Sequence, residues 1–356
     1  MDYNGRKTIG GIAMSYPVDL CHERILAEHT PALAFREDRD YAAWREEVKK
    51  TLAQLLGDMP QTRCDLNVKL EWVREHADFT ERRYSFASEE NFRLPCHLCI
   101  PKNAKRPCPV VICLQGHTTG MHISLGRPVY PGDVEMVSGG DRDFGLEILK
   151  EGYAALVLEQ RAFGELKSEA MMNFAPDAGT TCHHVAMTAL LLGRTIIGER
   201  CWDVSRAVDF LETLPEIDSK RIALMGNSGG GTATYYAACM EERISLAMPS
   251  CSVCSYGHSI VWKRHCACNY IPSIAKYFDM GDIACLIAPR KLIVVAGELD
   301  HGFHIDGTMK EYETIRRIYK AAGAEENCRL IVGPEGHRFY ADLSWPVFAE
   351  MTGWKE

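Results

Sequence analysis

The fold is decided by Arg221-Ile-Ala-Leu-Met-Gly226-Asn227-Ser228-Gly229-Gly230-Gly231. An apolar run of strand length ends in a glycine, a serine stands two residues on, and small residues lead into residues 233–240. This pattern predicts strand, sharp turn and helix, with Gly226 and Gly230 framing Ser228 in the Gly-x-Ser-x-Gly spacing of a nucleophile elbow. A turn this tight excludes side chains that would collide with the serine. The helix that follows aims its first amides at the serine oxygen, where negative charge can be stabilised. The strand before and the helix after separate this match from a chance glycine turn.

Outward from the elbow, strands alternate with helices. Residues 109–114 form a continuous apolar run, as expected of a strand covered on both faces of a parallel sheet. Further strands are predicted at 153–158, 244–248, 292–296 and 329–332, and helices at 143–150, 185–192, 199–214 and 307–322. Residues 165–182 are irregular and suit part of a cap. Alternation of this kind predicts an α/β fold, a mostly parallel central sheet flanked by helices. Between about 68 and 100 the pattern shortens toward two, which predicts antiparallel strands opening the sheet. Residues 1–75 read as an N-terminal helical extension packed on the core, and 76–356 as the catalytic domain. Within the extension, Asp40 caps a helix over 41–56 whose apolar stripe is Tyr41, Trp44, Val48, Leu52, Leu55 and Leu56, and Gly57 stops it.

A serine hydroxyl becomes a useful nucleophile only when an imidazole takes its proton, and that imidazole needs a carboxylate to hold its tautomer. Downstream of the elbow, strand 292–296 runs into Gly297-Glu298-Leu299-Asp300, and strand 329–332 into Gly333-Pro-Glu-Gly336-His337. The chain order Ser, acid, His is that of α/β-hydrolases. His337 is the expected base, because the other histidines lie before the nucleophile, between it and the acid, or on the acid's own loop. No Asp or Glu occurs between Glu242 and Asp279, so the acid must come from the loop after 292–296. Asp300 is favoured; Glu298 abuts the strand end and is the alternative acid, and Asp306 reads as a helix N-cap. The oxyanion hole is expected from the amide of Gly229 and that of His117 in Gln115-Gly116-His117, the His117 ring being an alternative substrate contact.

These blocks resemble the acetyl xylan esterase and dienelactone hydrolase branch of the α/β-hydrolases. Gln115-Gly116-His117 stands in the place of the family's His-Gly-x, and Glu159-x-Arg161-x-x-Gly164 is similar to its Asp-x-Arg-Gly-x-Gly. The elbow carries the extra Gly231, and Asp282-Ile-Ala-x-x-Ile-Ala-Pro-Arg290 leads to Asp300 and His337. Gln115, Glu159 and Ala162 depart from the family's residues. The resemblance covers roughly residues 80–350. It implies a serine esterase that cleaves short-acyl, acetyl-type esters of carbohydrates or related small molecules through an acyl-enzyme. A C–C bond hydrolase or a peptidase-like hydrolase with the same triad is the alternative, and a non-catalytic binding protein on the same fold ranks below both.

Composition bounds the rest. The chain has 356 residues, 46% hydrophobic and 25% charged, with a formal charge of −8 spread without long runs, which argues against a nucleic-acid surface. No stretch approaches the ~20 apolar residues that span a bilayer. Arg6 and Lys7 precede a stretch broken by Gly10, Gly11, Ser15 and Pro17, unlike the apolar core of a secretory leader. Fifteen cysteines without a repeated framework suit reduced thiols, and a cytoplasmic location is expected. No cofactor is expected and no metal. Cys96 and Cys99 stand at an odd offset on a strand, so they face opposite ways. A zinc reading of Cys251-x-x-Cys254 with His265-Cys266-x-Cys268 would need two paired loops around a closed tetrahedral site. The expected partner is a small-molecule ester, with no nucleic acid and no membrane; homo-oligomerisation is left open.

Overall fold

The computed structural model describes residues 18–354 apart from 177 and 262, together with the backbone of 8–9 and 12–13. Two short strands, β1 (Thr8–Ile9) and β2 (Ile12–Ala13), precede helices α1 (Val18–Glu28) and α2 (Tyr41–Leu56). Helix α2 starts where sequence places it. The Asp40 carboxylate accepts the Ala43 amide at 2.8 Å, satisfying one of the orphan donors of the first turn, and Gly57 at φ 98° turns the chain out of the helix. Its stripe of Trp44, Val48, Leu52 and Leu56 is buried in the larger of two cores. Truncating Trp44 alone would cost about 3–5 kcal/mol.

Strands β3 (Lys69–Glu75), β4 (Phe79–Glu89) and β5 (Phe92–Pro101) form an antiparallel meander. Strand β3 falls inside the stretch read from sequence as helical extension. It is the outer strand of the sheet, in the stretch from about 68 where the period near two predicts strands.

The remaining elements alternate: β6 (Cys108–Leu114), α3 (Asp133–Gly140), α4 (Phe144–Lys150), β7 (Ala154–Leu158), α5 (Glu169–Phe174), α6 (Cys182–Leu191), α7 (Ile196–Glu212) and β8 (Ile217–Asn227). They continue with α8 (Gly229–Met240), β9 (Leu246–Ser250), β10 (Lys291–Gly297), α9 (Ile305–Ala321), β11 (Cys328–Gly333) and α10 (Ala341–Thr352). Nine strands make one sheet in the order β11-β10-β9-β8-β6-β7-β5-β4-β3. Strands β6 through β11 pair in parallel, and β5 joins β7 antiparallel.

Both faces of the sheet are covered, which is why its central strands are apolar throughout. Val110, Ile112 and Leu114 enter the core built with α2, α7, α8 and α9, whereas Val111 and Cys113 enter the one built with α4 and α10. Cys96 and Cys99 likewise divide between the two cores, as their odd offset predicts. Strand β6 sits between β7 and β8, so the crossover from β6 to β7 and the next one, from β7 to β8, run in opposite directions along the sheet. The loops at its carboxyl end consequently open a crevice, the place where α/β sheets build their sites. All fifteen cysteines are free thiols. Among the described residues no helix is long and apolar enough to cross a membrane.

Candidate active site

Strand β8 delivers Ser228 at its carboxyl end, and α8 begins on the next residue. Ser228 has φ 58° and ψ −123°, an uncommon conformation for a side-chain-bearing residue. Neighbouring strands hold it there. Its amide donates to the Ser250 carbonyl of β9 at 2.8 Å. A Cβ on Gly226 would lie 2.5 Å from the Gly230 carbonyl oxygen, one on Gly231 would lie 2.5 Å from that of Ser250, and one on Gly230 would overlap the Leu114 carbonyl. The glycines around the serine are thus demanded by close approach to β6, to β9 and to one another. Ser228 itself is half-buried while Asn227, Gly229 and Gly230 are buried.

Two further strands, β10 and β11, end at the same edge of the sheet. The loops after β10 and β11 are knitted by Glu298 N–H to Gly333 O and Leu299 N–H to Glu335 O, each 2.8 Å. This brings Asp300 Oδ2 to 2.8 Å from His337 Nδ1. The other oxygen, Oδ1, accepts the amides of Gly302 (2.7 Å) and Phe303 (3.1 Å). Burial pushes the Asp300 carboxyl upward, but the His337 contact and the two amides outweigh it and hold the group below the usual carboxylate range. Phe303 stacks on the His337 ring, centroids 6.1 Å apart, and His265 meets Phe303 edge-on at 4.9 Å. Glu298, the alternative acid, is exposed, so its environment differs from that of the 2%-exposed Asp300. Asp306 is not an N-cap: α9 begins at Ile305, and His304 caps it by accepting the Asp306 amide.

The loop after β6 closes the third side. A Cβ on Gly116 would come within 3.0 Å of Ser228 Cβ and 2.8 Å of the Asn227 carbonyl oxygen, so only glycine lets this loop lie against the elbow. Gln115 donates to Ser124 Oγ and to the Arg142 carbonyl, and its own carbonyl accepts from Gln160. Glu159 accepts the Met121 amide (3.2 Å) and the Glu165 amide (3.3 Å), pinning the loop to the β7 strand end; burial pushes its carboxyl up to about 7. Arg161 clasps Asp203 through two bonds of 2.8 and 2.9 Å and reaches Glu89 at 2.6 Å. The sequence block around 159–164 is therefore a brace for the site, and Gly164 is required because a Cβ there would overlap Glu159 Oε2.

The His117 ring lies against Gly229, with Nε2 3.2 Å from Cys268 Sγ. The donor atoms of His117, Cys182, Cys266 and Cys268 all lie within 4.8 Å of one another. Of the cysteines and histidine grouped by sequence spacing, only Cys266 and Cys268 enter this cluster. Cys251 instead donates to the Arg338 carbonyl at 3.2 Å, Cys254 to that of His304 at 3.4 Å, and His265 bonds to that of Gly302 at 3.0 Å. Cys182, the first residue of α6, is tied to 266 and 268 by no spacing rule, so local pattern could not have found it. Hydrogen bonds from Cys266 and Cys268 hold the Cys182 thiol well below its usual range, and Arg200 adds to the effect. Cys251 also lies within 4.8 Å of the reactive atoms of Asp300 and His337.

A hydroxyl at an elbow, an imidazole fastened to a carboxylate, and amides at a helix start beside a glycine loop are the parts acyl transfer uses. The family model described as "Abhydrolase family" matches residues 18–334. A Bacillus subtilis (strain 168) protein named "Putative hydrolase YtaP" is 26% identical over 302 residues, covering 82% of this chain and 94% of that protein. A solved structure from Bacteroides fragilis NCTC 9343, called a "putative acetyl xylan esterase", aligns with TM-score 0.75 and 16% identity over 97% of this chain and 91% of its own. The glucuronoyl esterase from Solibacter usitatus aligns with TM-score 0.67 and 16% identity, over 92% of this chain and 99% of its own. At such identities the solved structures speak to the fold.

Proposed function

The chain belongs to the Abhydrolase family, and from that premise we propose that it is a carbohydrate-esterase-type serine hydrolase with Ser228, His337 and Asp300 as its triad. The observation that carries the reading is the 2.8 Å Asp300–His337 contact at the same sheet edge as the Ser228 elbow. Ser228 Oγ attacks the ester carbonyl while His337 takes its proton, and Asp300 keeps the imidazole in the tautomer that can accept it. The Gly229 and His117 amides hold the oxyanion. His337 then protonates the departing alcohol, and a water activated by the same imidazole cleaves the acyl-enzyme.

Names among the similar proteins include both acetyl and glucuronoyl esterases. These differ in which side of the ester carries the sugar. Short-acyl esters, acetyl above all, are the substrates we assign.

The test is a panel of aryl esters of rising acyl length beside acetylated sugars, alkyl esters of glucuronic acid, peptide amides and a β-diketone. Fastest turnover on acetyl esters is expected, together with covalent labelling by a fluorophosphonate that Ser228→Ala abolishes. Near-normal turnover in Ser228→Ala refutes the serine mechanism. Preference for the glucuronate esters, the amides or the diketone refutes the acetyl assignment.

A further inference from the structure

Three chain segments that are far apart in sequence converge on one point next to the elbow. The loop after β6 contributes His117, the first turn of α6 contributes Cys182, and the segment after β9 contributes Cys266 and Cys268. Three sulfurs and one imidazole nitrogen, all mutually within 4.8 Å, make the donor set and approximate size of a tetrahedral site. With metal–sulfur bonds of about 2.3 Å and a metal–nitrogen bond of about 2.0 Å, the edges of such a tetrahedron are about 3.5–3.8 Å. The His117 Nε2–Cys268 Sγ separation of 3.2 Å is already near that edge. Oxygen-seeking cations are excluded by a set that contains no oxygen, and thiolate with imidazole at tetrahedral geometry selects zinc.

Arg200 lies against the cluster. Its side chain is 1% exposed, with Nη2 donating to the Arg161 carbonyl at 2.8 Å and to Cys182 Sγ at 3.5 Å. Nε and Nη1 have no hydrogen-bond partner. The guanidinium lies over the Phe163 ring, 4.4 Å from its centroid, forms no ion pair with a carboxylate among the described residues, and reaches the cluster at the Cys182 sulfur. A buried guanidinium without an anion is costly. A divalent cation bound by three thiolates and a neutral imidazole carries net charge −1, and Arg200 neutralises it. Asn269 adds an outer contact, its Nδ2 3.8 Å from Cys268 Sγ while Oδ1 is held by Thr232 at 2.9 Å.

We propose that His117, Cys182, Cys266 and Cys268 bind one zinc-type cation in a closed four-ligand site that fastens the loop after β6 to α6 and to the segment after β9. Binding forms three metal–sulfur bonds and one metal–nitrogen bond, releases the protons of whichever thiols are still protonated, and changes no oxidation state. All four positions are filled by protein, so the ion activates no water. Its effect is positional: it fixes the residue whose amide we assign to the oxyanion, and this part of the inference rests on the function proposed above.

The experiment is metal analysis of the full-length chain purified without a metal-affinity step from zinc-supplemented culture. About one zinc per chain is expected. Cobalt exchanged into the protein should show the sulfur-to-metal charge transfer and strong visible bands of tetrahedral thiolate coordination. Cys182→Ser and Cys268→Ser should each lower zinc content by roughly tenfold or more, whereas Cys254→Ser and Ser228→Ala should keep it. Retention in Ser228→Ala separates the metal site from the esterase reading. If the cysteine variants do not fold, titration of reduced, chelator-treated wild type against a chromophoric chelator replaces them, and a stoichiometric high-affinity site is the supporting result. Protein that contains no zinc and takes up none overturns the proposal. So does a disulfide between any two of the three cysteines in protein isolated under mild conditions. For the positional role, zinc removal should lower kcat by roughly 10²-fold with little change in KM, as loss of one oxyanion donor does; unchanged kcat refutes that role.

Discussion

Asp300→Asn tests the reading of the site at a single atom. In the structure Oδ1 of Asp300 serves two loop amides, at 2.7 and 3.1 Å, while Oδ2 faces His337 Nδ1 at 2.8 Å. Asparagine has one oxygen for these two tasks. If it stays with the amides, its NH2 group points at Nδ1 and forces the imidazole proton onto Nε2, the atom proposed above to accept from Ser228. If it turns to His337, the NH2 group faces two amide donors, and two charge-assisted bonds are lost at about 1.5–3 kcal/mol each. The first arrangement is cheaper, so the variant should fold and carry the wrong tautomer. Loss of tautomer control lowers turnover by roughly 10²–10⁴-fold, equivalent to about 2.7–5.4 kcal/mol of transition-state stabilisation. Glu298→Gln, at an exposed position, should change turnover by less than about twofold, since a surface substitution away from the site shifts little. The assay is steady-state hydrolysis of an aryl acetate, with circular dichroism and a melting curve to confirm folding. A folded Asp300→Asn that keeps more than a tenth of wild-type kcat, or a larger loss in Glu298→Gln, refutes the argument.

Gly164→Ala should destabilise by roughly 3 kcal/mol or more, because φ is 46° and the new methyl would overlap Glu159 Oε2; Gly152→Ala, at φ 89° with open space around it, should cost only the ~1–2 kcal/mol of the backbone. Equal urea midpoints for the two would show that the Glu159 contact is not tight. Glu159 is an acid whose folded pKa is raised, to about 7, so the native state binds the extra proton and this group's contribution to stability declines as pH rises from about 4.3 to about 7. The difference in unfolding free energy between wild type and Glu159→Gln should therefore vary over that window, by up to about 3 kcal/mol, and a difference independent of pH would refute the burial argument. For Asp300 the sign is opposite: its folded pKa is lowered, so its contribution is present above the ordinary carboxylate value and disappears as pH falls through the folded one. Asp40→Ala should cost about 1 kcal/mol through the lost cap on Ala43, read by thermal unfolding; no change would mean that α2 is held by packing alone.

The legible parts of this chain are those where a local pattern and a tertiary demand coincide. Helix α2 matches its expected bounds because Asp40, the stripe from Trp44 to Leu56, and Gly57 each act within a turn of themselves. The elbow is readable because glycine at fixed offsets is a steric requirement. Asp300 and His337 were placed by chain order, and the structure brings these two side chains together. Strand β3 lies in the stretch from about 68 whose period near two predicts strands, although its side chains are largely exposed. Ser273, Ala162 and Cys251 take positive φ without a glycine to announce it. The cysteine cluster was the least legible. Its members come from two loops and a helix start, and the spacing that resembles a metal motif, Cys251-x-x-Cys254, leads to two unrelated carbonyl contacts. Convergence of distant loops is a property of the crossover pattern around β6, which no window of sequence contains.

Ser228 at its positive φ is held partly from within the elbow, by the Thr232 amide and the mutual approach of Gly226 and Gly230, and partly by Ser250 at the end of β9, far away along the chain. A nascent or partly melted molecule with β9 frayed would keep most of its helices and look native to a spectrometer, yet its serine would relax into an ordinary turn and lose its alignment. On the function proposed above, hydrolysis would therefore depend on β9 being docked against β8.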